Sequence, residues 1–319
     1  MIVLPAQAGN RRVRLLVSPR MQLAPSADDK PLACDESHWL PVEASTRRYA
    51  RLLRLHRYDL ASAVVMLFPR GTPAAEVERV ERSTRLLQEA GVPVPAVYDS
   101  DARRGWILQE DLGDVSLAAA LAAGQAPEPL YEEALAILPR VAALRALDTS
   151  PRPALDAERL RRELDLFATS ALALDGAPGP GLSADLLRLV DACGASPVVL
   201  CHRDYHARNL MLHGGRVRVI DHQDALPGPA AYDAVSLAYD PYVELPDALR
   251  DRLAGAPPDR AAVAVQRLCK AIGTYASKGG AWRRWIPPAA RQARRLLREL
   301  QPGLPVLDAA LAPLALGVP

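Results

Sequence analysis

The chain has 319 residues, 50% of them hydrophobic, and a formal net charge of +2. This length allows one large or two modest domains with a buried core, and the near-neutral charge gives no indication of binding to nucleic acid or to a membrane surface. The four cysteines form no CxxC pair, which argues against a disulfide scaffold or a zinc ribbon, and no apolar run has the length of a membrane span. We therefore expect a cytoplasmic, monomeric protein.

The N-terminal part of the sequence predicts a small sheet with one helix. Residues 1–37 offer one candidate strand, at 12–17, and are treated as an extension without assigned structure. Apolar and β-branched runs, helical apolar spacing and turn residues then predict four strands and one helix. The strands are expected at 46–55 and 62–68 and as a pair within 92–114, and the helix at 75–91.

The remaining sequence is dominated by Ala, Leu and Arg and predicts a helical region with two short embedded strands. Helices are expected at 116–124, 130–147 and 156–172, strands at 197–201 and 216–220, and proline-interrupted helices over 247–313, with Pro139 as a kink or break. The composition changes near residues 109–114. We therefore predict an α+β fold with two lobes, a small β-rich lobe at 1–110 and a larger helical lobe at 111–319.

The most informative stretch is residues 200–237, between and after the two embedded strands. It contains His202, Asp204 and Asn209 in the spacing H-x-D-x-x-x-x-N, and Asp221 follows a predicted hairpin. Phosphoryl transfer needs a carboxylate that receives the proton of the attacking hydroxyl, together with Mg²⁺ held by oxygen ligands. Apolar strands on either side of the loop would hold these groups rigidly. The pattern predicts Asp204 as the catalytic base and Asn209 and Asp221 as magnesium ligands.

A zinc site formed by His202, His206 and His222 with Asp204 is a competing interpretation. No cysteine or glutamate completes a known ligand spacing, which argues against it. His202 is instead expected to hydrogen-bond to backbone, and His206 either contacts substrate or is a loop residue. The sequence has no G-x-x-x-x-G-K-[ST] and no G-x-G-x-x-G, which argues against P-loop kinases and Rossmann enzymes.

The stretches CHRDYHARNLM (201–211) and IDHQDALPGPAAYD (220–233) resemble the aminoglycoside phosphotransferase and choline kinase family, which has a protein-kinase-like fold. The resemblance covers about residues 38–290 and includes 43–52, 92–114 and 266–276. Within the family, the chain is most similar to the bacterial branch that phosphorylates the anomeric hydroxyl of N-acetylmuramate or N-acetylglucosamine in cell-wall recycling.

The resemblance implies ATP and Mg²⁺ as cofactors, a nucleotide-binding N-terminal lobe, and a C-terminal lobe with the catalytic loop and the acceptor site. It also implies that Asp233 braces the catalytic loop, and we assign His202 and Arg208 to the catalytic set beside Asp204. Nucleotide contacts are expected in a phosphate-covering turn and in an interlobe hinge at 107–111. The residues concerned are Ser45, Thr46, Arg47, Arg48, Gln109, Glu110 and Leu112.

Two positions depart from the family pattern. Met66 stands where a third-strand lysine usually contacts the nucleotide phosphates, and no lysine occurs between Lys30 and Lys270. The amino-sugar branch resembles this chain in having methionine there, so we expect Arg47 or Arg48 to replace the lysine. His222 stands where the sugar kinases usually have phenylalanine. These departures leave open a catalytically weak relative that binds nucleotide and acts as a regulatory module.

The acceptor is expected in the helical lobe, at polar and aromatic residues suited to a sugar. The candidates are His206, Gln223, Asp224, Asp240 and Tyr242. Helix capping and packing are the alternative roles for Asp240 and Tyr242. The basic segment 282–300 fits an anionic acceptor such as N-acetylmuramate, and also a solvated helix face. An aminoglycoside or an amino alcohol is the alternative acceptor.

Overall fold

The computed structural model describes residues 32, 34–41, 46–56, 58–144, 154–174, 176–195 and 197–317. They form two compact units. The first comprises the described residues up to Arg82 together with Pro95–Asp111, and the second comprises Ser83–Val94 and the chain from Leu112 onward. The lobe boundary expected after residue 110 thus has a counterpart after Asp111, but Ser83–Val94 groups with the helical unit. The candidate strand at 12–17 lies outside the described residues.

The first unit contains a five-stranded antiparallel sheet with the strand order β1-β2-β3-β5-β4. Its strands are β1 (Cys34–Trp39), β2 (Arg48–Leu55), β3 (Leu60–Leu67), β4 (Val97–Asp101) and β5 (Trp106–Gln109). The helix α1 (Ala74–Glu89) begins in this unit and ends in the second. The four predicted strands and the helix are confirmed. The strand β1 was not predicted, because CDESHW has mostly polar, exposed positions and lacks an apolar alternation.

Successive residues of β3 face opposite sides of the sheet, as the period of two requires. Val65 packs with Leu52 and Leu108 on one side. Met66 packs on the other side, in a cluster that includes Val77 of α1 and Ile107 of β5. Met66 is therefore a buried residue of the third strand, in a position whose neighbours are apolar.

The second unit is mainly helical, with two separate strand pairs. Its helices are α2 (Leu117–Ala122), α3 (Pro127–Ala142), α4 (Ala157–Ala171), α5 (Pro180–Ala192), α6 (Tyr232–Ala238), α7 (Asp247–Ala254), α8 (Arg260–Lys278), α9 (Ile286–Leu297) and α10 (Pro305–Leu316), with a 3-10 helix at Gly280–Trp285. The strand β6 (Val198–Cys201) pairs with β9 (Leu226–Pro229), and β7 (Leu210–His213) pairs with β8 (Arg216–Val219). The α+β fold class predicted from the sequence is confirmed.

The predicted break at Pro139 does not occur, because α3 continues past this residue to Ala142. Among the described helices, none combines the length and the apolar character that a membrane span needs.

The helix α8 lies at the centre of the second unit and packs against α4 and α9. It is buried along most of its length. Gly273 makes the approach of α8 to α4 possible, since a Cβ at this position would lie 2.8 Å from the backbone N and Cα of Phe167. The backbone of α4 therefore packs directly against Gly273 of α8, and the absence of a side chain at Gly273 allows this close approach.

We expect Gly273→Ala to destabilise the protein, although glycine-to-alanine changes inside helices usually stabilise by about 0.5–1 kcal/mol. The added methyl group has no room against the backbone of α4, and overpacking typically costs about 1–3 kcal/mol. Urea unfolding followed by circular dichroism measures the change. Gly303→Ala is the matched control, because nothing lies within 4 Å of its new Cβ. Equal unfolding midpoints for Gly273→Ala and Gly303→Ala would contradict the close packing of α8 on α4.

Candidate active site

The loop that joins β6 to β7 carries most of the residues predicted for phosphoryl transfer. It begins at His202 and runs through Asp204 to Asn209, directly before β7. Both flanking strands contain buried apolar residues, among them Leu200 and Leu210. The hairpin of β7 and β8 then leads to Asp221, so two apolar strand pairs fix the ends of the functional segments.

Asp233, in the first turn of α6, fixes the start of this loop. Its Oδ2 accepts a hydrogen bond from the backbone N of His202 at 2.6 Å, and its Oδ1 accepts one from the backbone N of Arg203 at 2.9 Å. Burial raises the pKa of Asp233, and the two amide donors oppose this rise. Arg203 has a φ of 76°, a conformation that non-glycine residues rarely adopt. The paired hydrogen bonds hold this turn, which favours the bracing role expected for Asp233.

Asp240 fixes the other end of the loop. Its Oδ2 accepts from the backbone N of Ala207 and its Oδ1 from the backbone N of Tyr242, both at 2.8 Å. The side chain is buried, and burial raises its pKa to about 6. Because both oxygens already bind backbone amides, the geometry favours a bracing role for Asp240 over the acceptor contact expected from the sequence.

The ring of His202 connects the loop to the end of β8. Its Nε2 donates to the backbone carbonyl of Ile220 at 2.9 Å, and the ring packs edge-on against Tyr205. The expected hydrogen bond from His202 to backbone is therefore present. The histidine holds the loop, and in this structure its imidazole is engaged away from Asp204.

The carboxyl group of Asp204 is 39% exposed and lies against two cations of α8. Its Oδ1 is 3.0 Å from Nζ of Lys270 and 4.0 Å from Nη2 of Arg267. Burial alone would raise the pKa of Asp204, but the charges of Lys270 and Arg267 hold it well below its ordinary value. Asp204 is thus ionised at neutral pH and able to accept a proton or a hydrogen bond.

Lys270 and Arg267 were not among the site residues predicted from the sequence. Two features of the sequence could have indicated them. The stretch 266–276 resembles the family, and the i, i+3 spacing places both residues on one face of α8. The sequence separation of 66 residues between Lys270 and Asp204 gave no indication of their contact.

Asn209 and Asp221 lie next to each other, as expected for ligands of one metal ion. Nδ2 of Asn209 is 3.5 Å from Oδ2 of Asp221 and also donates to the backbone carbonyl of Asp204 at 2.9 Å. Nε2 of Gln223 donates to Oδ1 of Asp221 at 2.5 Å. Asp221 is exposed and has a φ of 63°, a strained conformation of the kind that occurs at functional sites. The carboxylate of Asp221 and the amide side chain of Asn209 can each supply the hard oxygen ligand that Mg²⁺ prefers.

The predicted acceptor residues Gln223 and Asp224 differ in exposure. Gln223 is buried and positions Asp221, whereas Asp224 is exposed and its backbone carbonyl accepts from Nη1 of Arg203 at 3.3 Å. Asp224 therefore remains an acceptor candidate, and Gln223 is placed to support Asp221, the predicted metal ligand.

His222 is buried, and its Nε2 is 2.8 Å from Oγ1 of Thr84. Burial lowers the pKa of His222 to about 3, so this histidine is neutral. The residue that replaces the usual phenylalanine thus forms a buried hydrogen bond. In the described part of the chain, no three or more histidine, cysteine, aspartate and glutamate side chains are grouped to hold a metal ion, so the zinc interpretation is not supported.

His206, Arg208 and Tyr242 belong to an aromatic cluster formed with residues near the end of α8. The rings of His206 and Tyr242 meet edge-on at 5.2 Å, and the guanidinium of Arg208 lies 4.3 Å from the centre of the Tyr242 ring. Tyr275, Trp282 and Trp285 complete the cluster. Burial lowers the pKa of His206 to about 3, with Arg267 adding to the effect. Three predicted residues therefore meet here, two of them on the loop that joins β6 to β7.

The nucleotide residues predicted in the first unit lie in two places. Ser45 is outside the described residues. Thr46 is exposed directly before β2, the guanidinium of Arg47 lies over the Phe68 ring at 5.3 Å, and that of Arg48 lies over the Trp39 ring at 3.8 Å.

Gln109 and Glu110 lie at the end of β5. The Oε2 of Glu110 accepts from the backbone N of Ala96 at 3.0 Å. Leu112 is the first residue of the second unit after this segment and is buried. The nucleotide roles of all these residues stay predictions.

Comparison with known proteins identifies the family of this chain. The sequence profile described as the phosphotransferase enzyme family matches residues 40–265. The chain belongs to this family. Among its relatives, proteins named N-acetylmuramate/N-acetylglucosamine kinase from Pseudomonas aeruginosa and Pseudomonas putida are 37% and 32% identical to it, over 64% and 65% of this chain. The matches span 60% of the length of each of these curated relatives.

Solved structures of the phosphotransferase family show the same kinase-like fold. A choline kinase from Streptococcus pneumoniae has a TM-score of 0.55 at 13% identity, covering 87% of this chain and 93% of that protein. An aminoglycoside phosphotransferase in a ternary complex with streptomycin and ATP has a TM-score of 0.54 at 13% identity, covering 83% and 92%. At these identities the likeness shows the fold alone.

We expect Asp240 to make the stability of the protein depend on pH. Its folded-state pKa of about 6 exceeds the roughly 3.9 of an unfolded aspartate, so the folded chain binds this proton more tightly. The contribution of Asp240 to stability is therefore fully present below about pH 4 and is lost as the pH rises through 6.

The comparison of wild type with Asp240→Asn isolates this effect. As the pH falls from 7 to 4, the free energy of unfolding of the wild type should rise relative to the variant by about 2–3 kcal/mol. Urea unfolding at four pH values measures it, with Asp191→Asn on the exposed face of α5 as the control. A constant difference between wild type and Asp240→Asn across this range would show that Asp240 is not held as described.

Proposed function

We propose that this chain is a Mg²⁺-dependent kinase that transfers the γ-phosphoryl group of ATP to the anomeric hydroxyl of an amino sugar, N-acetylmuramate or N-acetylglucosamine. The observation that carries this proposal is the partly exposed, ionised carboxyl group of Asp204 on a loop fixed at both ends by buried aspartates. Membership of the phosphotransferase family supports the reaction, and the names of the relatives support the acceptor.

Asp204 acts in this proposal as the proton acceptor. The oxygen of the sugar hydroxyl forms a bond to the γ-phosphorus, and the bond from that phosphorus to the bridging oxygen of ADP breaks. The hydroxyl proton passes to the carboxyl group of Asp204. The two backbone amides held by Asp233 keep Asp204 in one place, which supports catalysis by positioning.

Asn209 and Asp221 would hold Mg²⁺. The ion, when bound, supplies positive charge that neutralises the phosphate oxygens. Gln223 restrains the carboxyl group of Asp221, and the backbone carbonyl of Asp204 restrains the amide of Asn209. The proton acceptor and the metal ligands therefore share one hydrogen-bonded segment.

The charge around Asp204 supports a neutral or anionic acceptor over a polycationic one. Lys270 and Arg267 would repel an aminoglycoside or an amino alcohol that approached this carboxyl group. The basic segment 282–300 supports the choice less than its sequence suggested, since Arg294 pairs with Asp308 and Arg295 with Asp247. The relevant cations are those of α8.

The nucleotide assignment rests on the family and on the ATP complex of the similar aminoglycoside phosphotransferase. Ser45, Thr46, Arg47 and Arg48 are proposed at the phosphates, and Gln109, Glu110 and Leu112 at the adenine. The four cysteines form no disulfide, which fits a reducing compartment, so we propose a cytoplasmic monomer. Its partners would be the nucleotide and the amino sugar.

A turnover assay with Mg²⁺ and ATP tests the function against N-acetylmuramate, N-acetylglucosamine, glucose, choline and kanamycin. We expect anomeric phosphate on the two N-acetylated sugars, read by phosphorus–proton NMR. Asp204→Asn should lower turnover by about 10²–10⁴-fold while nucleotide affinity stays near the wild-type value. Wild-type turnover in Asp204→Asn would remove Asp204 as the base. Nucleotide binding without turnover of any acceptor would favour the regulatory alternative that Met66 leaves open.

We expect Asp221→Ala to abolish the dependence of nucleotide binding on Mg²⁺, because the variant lacks the one carboxylate of the proposed site. Thermal stabilisation by ATP, measured with and without Mg²⁺, shows the effect. Asp191→Ala, which removes an exposed carboxylate from α5, is the matched control and should respond to Mg²⁺ as the wild type does. An unchanged metal response of Asp221→Ala would take Asp221 out of the site.

A further inference from the structure

Two cations of α8 share one carboxylate oxygen at the active site. Nζ of Lys270 and Nη2 of Arg267 lie 3.0 Å and 4.0 Å from the same atom, Oδ1 of Asp204. The side chains of Lys270 and Arg267 are only 15% and 7% exposed, so both charges are held largely away from solvent. Charges in such a position are stabilised by anionic partners, and one carboxylate serves both.

The guanidinium of Arg267 has one buried N–H donor without an acceptor in the described part of the chain. Its Nε is buried and has no acceptor among the described residues, and the carboxylate of Asp204 lies beyond hydrogen-bond distance. A buried N–H donor that lacks an acceptor is costly, so the Nε of Arg267 favours a further acceptor nearby. Arg267 can therefore donate a hydrogen bond to a further, negatively charged group.

The neighbouring acids do not supply that acceptor. Glu163 accepts from Nη2 of Arg203 and from Nε2 of Gln266, both at 3.0 Å. Asp233 and Asp240 each bind two backbone amides. Asp240 interacts electrostatically with Arg267, but its oxygens, like those of Glu163 and Asp233, already accept hydrogen bonds. Among the described residues, Asp204 is the carboxylate that lies within 4.0 Å of both cations.

We propose that Lys270 and Arg267 form an anion site that binds a carboxylate carried by the acceptor sugar. This inference rests on the proposed function and deepens it, because N-acetylmuramate bears a lactyl carboxylate on carbon 3 and N-acetylglucosamine bears a hydroxyl there. Carbons 1 and 3 of a pyranose are separated by one ring carbon. A sugar whose anomeric hydroxyl meets Asp204 therefore carries its carbon-3 substituent within side-chain reach of Lys270.

The acceptor carboxylate would take the place of Asp204 as partner of Lys270. In the chain alone, Nζ of Lys270 donates to Oδ1 of Asp204, the group that must receive the hydroxyl proton. When an acidic sugar supplies its own carboxylate to Lys270 and Arg267, the carboxyl group of Asp204 becomes available to the anomeric hydroxyl. The anion site would thus favour acidic over neutral acceptors.

The test compares N-acetylmuramate with N-acetylglucosamine as acceptors, and substitutions of Lys270 with a substitution of Lys278. We expect Lys270→Met to lower kcat/KM for N-acetylmuramate about 10- to 100-fold more than for N-acetylglucosamine, as the loss of a charge-assisted hydrogen bond predicts. The change should appear mainly in KM, and Lys270→Arg should restore much of the preference. Lys278→Met, which alters the exposed lysine two turns further along α8, should leave the ratio unchanged.

A second measurement needs no variant and so does not depend on how Lys270→Met folds. The wild type is assayed with N-acetylmuramate and with its lactyl carboxamide, which keeps the shape and removes the charge. We expect the amide to lose the advantage of N-acetylmuramate over N-acetylglucosamine.

The outcomes separate the two proposals. Equal losses for both sugars in Lys270→Met, or equal turnover of N-acetylmuramate and its amide by the wild type, would overturn the anion site while the kinase assignment stands. A wild type that phosphorylates neither sugar would overturn the proposed function and the anion site with it.

Discussion

The candidate active site depends on buried aspartates that bind backbone amides at the two ends of the loop that joins β6 to β7. Asp233 binds the amides of His202 and Arg203, and Asp240 binds those of Ala207 and Tyr242. Hydrogen bonds from neutral amides to a carboxylate are stronger than those between neutral groups. They replace the hydrogen bonds that a helix or strand would have supplied, so an irregular segment gains a single conformation. The partly exposed carboxyl group of Asp204 can therefore project from a loop that is itself rigid.

The sequence indicated which candidate residues share the loop, but not the contacts that support them. The spacing of His202, Asp204 and Asn209 is local, and a local pattern can be recognised in the sequence without knowledge of the fold. The ion pair of Asp204 with Lys270 joins residues in different elements, and the carboxyl group of Asp240 reaches back 33 residues to Ala207. Burial of these groups is decided by tertiary packing, which the sequence pattern does not contain.

The difference between local patterns and tertiary packing also explains which strands and helices were predicted. The strands β2 and β3 were predicted from their apolar and β-branched runs, and both contain several buried positions. The strand β9 has the sequence LPGP, whose prolines cannot donate ladder hydrogen bonds and whose glycine disfavours strands. It forms because, among the described strands, β9 pairs with β6 alone, so only one edge of β9 needs backbone N–H donors. The helix α3 continues through Pro139 because its packing outweighs the local cost of the proline.

Met66 leaves the third strand without a primary amine. The only lysines in the sequence are Lys30, Lys270 and Lys278. A nucleotide analogue that acylates an amine beside its phosphates would find no target on β3, so a failure to label the protein would carry no information about nucleotide affinity. A label from such a reagent on this chain would instead mark Lys270, which lies beside Asp204, and so would report on the acceptor end of the proposed site. Reagents directed at arginine would suit Arg47 and Arg48 in the predicted phosphate turn.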